Sequence, residues 1–132
     1  MIKKLMVAAV GLILLISACK QNLAPERLYG KWKYTRVLNP KAIPPDSVKM
    51  MVLDEQKPYI VFAKNNKLEI YWGGKVLSKG TFTTNGDNIN VLEQLPGGKT
   101  REFPFYVSEL DDKHIVFESM GEDGSKVTAV KQ

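Results

Sequence analysis

The chain has 132 residues, enough for one domain. A hydrophobic share of 44% excludes a disordered or collagen-like chain, and a single cysteine and a single histidine exclude a disulfide framework, a multi-cysteine metal site and a histidine-based catalytic dyad. Nineteen basic against fourteen acidic residues give a formal net charge of +5, but the lysines form no basic stripe and suggest no nucleic acid.

Lys3 and Lys4 form a basic head, followed by twelve uncharged, mostly apolar residues from Leu5 to Ile16. As a helix this stretch spans roughly 18 Å, short of the ~30 Å hydrocarbon core, so it reads as the apolar part of a secretory signal. Ile16-Ser17-Ala18-Cys19 resembles the bacterial lipobox. The resemblance implies cleavage before Cys19, diacylglycerol on its sulfur and an acyl chain on the new amine, which together anchor stably where one chain is marginal. The other reading is an ordinary signal peptide with an accidental cysteine. Once acylated, Cys19 has no thiol left for redox or nucleophilic chemistry. Lys20 to Arg27 reads as a tether. No Asp follows the cysteine and no acidic run follows it, so the likeness to bacterial lipoproteins implies the periplasmic face of the outer membrane.

From Leu28 onward, runs of Val, Ile, Thr and aromatic residues alternate with turn pairs, the pattern of an all-β sandwich or barrel. Eight strands are predicted: Tyr29–Leu38, Tyr59–Lys64, Lys67–Trp72, Val76–Thr83, Asn88–Glu93, Thr100–Glu109, Lys113–Ser119 and Lys126–Lys131. Short turns force antiparallel neighbours, and joining the first strand to the last removes both edges. The expected fold is an eight-stranded antiparallel up-and-down barrel, with a short helix or plug between the first two strands. Asp46 or Ser47 would cap that helix, with Val48, Met51 and Val52 on one face.

Residues opposite one another across a hairpin share a face, so turn lengths predict the inner surface. A two-residue turn at Asn65-Asn66 pairs Val61 with Ile70 and Tyr59 with Trp72. A three-residue loop ending at Lys75 pairs Glu69 with Lys79 outside and turns Ser78, Gly80 and Phe82 inward. Asn85-Gly86 as a turn pairs Phe82 with Ile89, and the Pro96-Gly97-Gly98 loop pairs Val91 with Phe103. A loop at Leu110–Asp112 pairs Phe105 with Phe117. A longer one pairs Phe117 with Val127 and, outside, Glu118 with Lys126. Pro104 points outward and lacks a ladder N–H, which predicts a bulge or an unpaired stretch there. The small inward residues Ala63, Ser78, Gly80, Ser119 and Ala129 predict a partly hollow interior.

Gly30-Lys31-Trp32 at the start of the first strand resembles the lipocalin Gly-x-Trp motif. With the lipobox and tether before it, Leu28 to Lys33 is similar to the small lipocalin-like lipoproteins of Bacteroidetes. The resemblance implies that Gly30 permits a tight approach and that Trp32 closes the barrel base. It departs in three ways. The last strand offers Lys126 and Lys131 in place of the family's arginine, no C-terminal helix follows, and the long first connection is closer to that of fatty-acid-binding proteins.

The expected ligand-lining residues are Tyr34, Tyr59, Ile70, Trp72, Phe82, Phe103, Phe105 and Phe117. Glu93 and Arg101 should face one another near one end, where Arg101 would bind a ligand carboxylate. Read structurally, they are a rim ion pair. His114 falls on the outer parity, and neither Asp111-Asp112 nor Glu122-Asp123-Gly124 has calcium-loop spacing. No nucleophile–base set or metal cluster is visible, so neither enzyme activity, metal nor cofactor is expected. The leading expectation is a membrane-anchored periplasmic lipoprotein that binds a small hydrophobic ligand, neutral or anionic. The alternative is a structural lipoprotein with a filled barrel that docks to an envelope protein.

Overall fold

Alternation of apolar and polar residues builds one antiparallel sheet that closes on itself. The computed structural model describes residues 23–121 and 124–132. Its elements are α1 (Pro25–Leu28), β1 (Gly30–Asn39), β2 (Asp46–Ser47), α2 (Met50–Gln56), β3 (Tyr59–Ala63), β4 (Lys67–Trp72), β5 (Lys75–Asn85), β6 (Asn88–Gln94), β7 (Thr100–Leu110), β8 (His114–Ser119) and β9 (Lys126–Lys131). Eight strands, β1 and β3 to β9, form a closed barrel in meander order, and β9 pairs back onto β1 from Trp32↔Lys131 to Leu38↔Lys126. The two-residue β2 adds to the end of β1 through Leu38↔Ser47. The expected all-β, up-and-down barrel is the fold.

The turns after β3, β5 and β7 lie at one end, the base. The turns after β4, β6 and β8 lie at the other, the mouth, together with the long connection through α2. The base is packed. Trp32, Ile60, Phe62, Leu68, Phe82, Ile89 and Ile115 are buried there, and the Phe62 and Phe82 rings meet edge to face at 5.1 Å. The barrel also starts earlier than the predicted tether allows. Leu23 and Leu28 are buried in the core, Tyr29 Oη donates to Asn66 Oδ1 at 3.2 Å, and Arg27 Nη2 donates to the Leu110 carbonyl at 3.4 Å.

Register departs from expectation at particular turns. The turn after β3 takes three residues, 64–66, because Asn66 adopts a left-handed backbone (φ 58°) and its N–H reaches the Ala63 carbonyl. The ladder therefore runs Ile60↔Ile70 and Phe62↔Leu68. A one-residue slip turns the whole strand over, so Ile60 and Phe62 face inward while Tyr59, Val61 and Ala63 face out. In β4–β5 the expected pairs Glu69↔Lys79 and Ile70↔Ser78 hold, but a bulge at Leu77 then gives Trp72↔Lys75 and a two-residue Gly73-Gly74 turn. Both glycines have positive φ, as such a turn requires.

The next turn is Gly86-Asp87, so Phe82 faces Val91, two residues on from Ile89 and on the same side. Val91↔Phe103, Glu93↔Arg101, Phe117↔Val127 and Glu118↔Lys126 pair as expected. Phe105 faces Ser119, not Phe117, after a bulge at Ser108. Pro104 lies in unbroken register with Asn90 on one side, but the β7–β8 ladder begins only at Phe105, so Pro104 is unpaired on the other side as expected, and the bulge sits at Ser108.

The predicted helix exists, with a different face. Lys49, not Asp46 or Ser47, precedes it, and no side chain caps it. Leu53 is its buried residue, Val48 packs on the core beside it, and Met51 and Val52 are exposed. The Val48 N–H donates to the Val37 carbonyl at 2.9 Å, and the Gly73 N–H to the Gln56 carbonyl at 2.8 Å. These bonds fasten α2 across one side of the mouth.

Candidate functional site

Above the packed base, the mouth half of the barrel holds a pocket of about 260 Å³ that is open to solvent. Its wall is apolar, drawn from Tyr34 and Val37 of β1, Ile70 and Trp72 of β4, Leu77, Phe105, Phe117 and Val127, with Ser119 and Ser125 toward the opening. The Phe105 and Phe117 rings meet at 4.9 Å, and Tyr34 meets Phe117 edge-on at 6.1 Å. Strand alternation explains the set, since each strand gives every second side chain to the interior.

Five of the eight expected lining residues are therefore in place: Tyr34, Ile70, Trp72, Phe105 and Phe117. Three are not. Tyr59 points outward after the β3 slip, stacks on Tyr71 at 4.6 Å and carries Lys31 Nζ 4.1 Å above its ring. Phe82 is buried deeper, against Phe62. Phe103 lies beside Phe105 but outside the cavity wall, under the Arg101 guanidinium at 5.2 Å.

Sequence reasoning missed Val37, Leu77 and Ser125. Strict alternation from Trp32 would turn Arg36 inward, and the bulge at Thr35 in the β1–β9 ladder exchanges it for Val37. A charged residue at an inward position was the available signal. Leu77 reaches the cavity edge through its own bulge.

Glu93 and Arg101 do face one another. Arg101 Nη2 lies 2.6 Å from Glu93 Oε1, and Ser78 Oγ donates to Glu93 Oε2. Glu93 is buried, whereas the Arg101 side chain is 62% exposed. Neither residue lines the cavity, so Arg101 is committed to Glu93 and to solvent and does not form a cavity floor.

The polar side-chain groups of the wall residues are three hydroxyls and the Trp72 indole N–H. Ser119 Oγ accepts the Ser125 N–H at 2.9 Å, and Ser125 Oγ donates to Asn39 Oδ1 at 3.0 Å. The Tyr34 hydroxyl has no hydrogen-bond partner among the described residues. Burial pushes its pKa well above the ordinary tyrosine value, keeping it a neutral donor.

At the base, Trp32 Nε1 donates to the Leu28 carbonyl at 2.7 Å, and Lys131 Nζ sits 5.1 Å from the ring centre. Gly30 has φ 132°, a backbone conformation that L side chains rarely adopt, and a Cβ there would meet only the flexible end of Lys131, so the backbone and not lack of space calls for glycine. His114 is exposed, as expected, 3.3 Å from Asp111 Oδ1. The Asp111 carboxylate accepts the backbone N–H groups of Lys113 and His114, which hold its pKa below the usual value and close the turn.

Larger depressions lie outside the barrel, about 510 Å³ over Thr81, Asn90 and Glu102 and about 580 Å³ between Lys31, Lys33 and Gln56. They are about as open as the barrel pocket, and their linings are more polar, with Lys31, Lys33, Glu55 and Lys57 around the second. Cys19 lies outside the described residues. No protein-family model and no curated protein matches this chain.

Proposed function

We propose that this chain is a lipid-anchored protein of the cell envelope whose barrel binds one small, mainly hydrophobic ligand in the mouth-side cavity. The supporting observation is the pocket itself: a largely apolar wall drawn from six of the barrel strands, with the partnerless hydroxyl of Tyr34 as a polar group that a ligand can reach. At about 260 Å³ it falls just under the ~300–1,000 Å³ of drug-sized sites, which favours a small molecule. The anchor rests on Ile16 to Cys19, and the periplasmic face of the outer membrane on the residues that follow.

The polar end of the ligand is best matched by Tyr34. Arg101 is already paired with Glu93 and stands off the wall, so a neutral oxygen suits this cavity better than a carboxylate.

Calorimetry with fatty acids, the matching alcohols and isoprenoids tests the binding. Alcohols should bind with negative ΔCp and weaken about tenfold in Tyr34→Phe, as expected for one lost hydrogen bond. Weakening of the acids in Arg101→Ala would restore the anionic head. The anchor is tested by Cys19→Ala, which should abolish palmitate incorporation and release the protein from membranes. If no panel member binds, and native mass spectrometry of envelope-derived protein carries no passenger, the interaction reading replaces this one.

A further inference from the structure

The barrel pocket offers a ligand more protons than lone pairs. Tyr34 Oη and Trp72 Nε1 have no hydrogen-bond partner among the described residues. Both stay within reach of solvent, since Ser108 Oγ is the sole sealed side-chain polar atom without a partner among those residues. Ser119 Oγ accepts the Ser125 N–H, which leaves its own proton to donate. The Ser125 hydroxyl proton is already spent on Asn39. No residue of the wall carries a charge, and Glu93 and Arg101 are paired with each other outside it.

The two unpartnered donors stand in one row across the sheet. The Tyr34 N–H donates to the Pro58 carbonyl at 3.0 Å. Tyr59↔Tyr71 pairs one step further along, which sets Pro58 opposite Trp72. Tyr34 and Trp72 are thus two strand spacings apart, about 10 Å between backbones. Pro58 between them is short and fully buried. Two long donors on the inner face therefore flank one short residue. The Tyr34 ring is also propped edge-on by Phe117 at 6.1 Å.

We propose that the ligand's polar end is one acceptor-only oxygen, the carbonyl of a ketone or ester, held between the Tyr34 hydroxyl and the Trp72 indole N–H. The proposal rests on the reading of this pocket as the ligand site. Proton counting selects the carbonyl. Its two lone pairs take the two protons, and nothing is left over. An alcohol brings a third proton, so one donor must reach Ser125 or stay unpaired, which is costly once water is displaced. An amine brings more protons and, when protonated, a charge that meets no carboxylate in the wall. A carboxylate brings a charge without a counter-ion, because Arg101 is committed to Glu93. At the ~30 Å³ that a water molecule occupies in the liquid, 260 Å³ admits roughly nine non-hydrogen atoms, a carbonyl oxygen on a chain of about eight carbons.

The test is calorimetry on the full chain with a size-matched panel: methyl hexyl ketone, the corresponding alcohol and amine, methyl hexanoate, heptanoate and octane. The ketone and the ester should bind about tenfold tighter than the alcohol, as expected for one donor left unpaired, with the amine and heptanoate weaker again. The tighter of ketone and ester identifies the carbonyl's source. Tyr34→Phe and Trp72→Phe should each weaken the ketone about tenfold relative to octane, a reference that removes any loss of apolar packing. The double variant should no longer prefer the ketone to the alcohol. The infrared carbonyl stretch of the bound ketone should lie below its value in an alkane solvent and rise as each donor is removed. The unsubstituted chain's panel and stretch decide the matter even where a variant does not fold. An alcohol or heptanoate that binds as tightly as the ketone overturns the proposal and leaves the pocket reading in place. So does a stretch unshifted from its value in the alkane solvent. If octane and every other member fail to bind, the pocket reading falls and this proposal falls with it.

Discussion

The indole N–H of Trp32 reaches the Leu28 carbonyl at 2.7 Å, tying the segment that enters the barrel to the first strand. Both residues are completely buried. The bond spends the only polar atom of a large core side chain on a helix-end carbonyl that would otherwise lack a partner. Trp32→Phe should cost about 1–3 kcal/mol by orphaning that carbonyl, and Trp32→Ala about 3–5 kcal/mol. Urea denaturation read by circular dichroism measures both.

The register of β3 makes a sharp contrast between neighbours. Phe62→Ala should destabilise by about 3–5 kcal/mol, whereas Val61→Ala, on the outer face, should cost less than about 1 kcal/mol. A larger loss at Val61 than at Phe62 would return the strand to the two-residue-turn register.

Gly80 looks like a residue that leaves space, but its role is different. A Cβ there would strike the Leu92 carbonyl oxygen and stand 2.9 Å from the carbonyl carbon. Since backbone atoms cannot swing away, Gly80→Ala should cost about 1–3 kcal/mol by overpacking. Thermal melts of the variant beside Ser78→Ala would show it.

Glu93 is buried with two partners, Ser78 and Arg101. Arg101→Ala should destabilise by about 1–2 kcal/mol, discounted because the guanidinium is largely exposed. In Glu93→Gln/Arg101→Ala the loss should shrink, because no buried carboxylate is left underserved. A double-mutant cycle in urea reads the coupling.

Tyr34 predicts an alkaline limit. Burial raises its folded pKa above the unfolded value of about 10, so the folded state keeps a proton that the unfolded state loses. The stability this implies is whole below pH ~10 and falls as pH rises toward the folded pKa. Urea midpoints taken from neutral to strongly alkaline pH should drop along that window, and Tyr34→Phe should flatten the part of the slope due to this residue. A ligand that accepts from the hydroxyl should delay tyrosinate absorbance further.

What local sequence determines here is the number and order of strands, the inward parity of Trp32, Tyr34, Ile70, Trp72, Phe105 and Phe117, and the Glu93–Arg101 pairing. Period-2 alternation and turn residues are read within a few positions, so no distant contact is needed. The position of β3 was decided in three dimensions: Asn66 enters the left-handed region and lengthens a turn by one residue, which exchanges Tyr59 and Val61 for Ile60 and Phe62. The bulges at Thr35, Leu77 and Ser108 were decided there too, since closing eight strands demands local bends that composition does not announce. The cavity follows from both. Strand parity supplies its apolar wall, but its edge at Val37 and Leu77 exists because closure displaced those strands, and its floor because the base half filled with Trp32, Phe62 and Phe82.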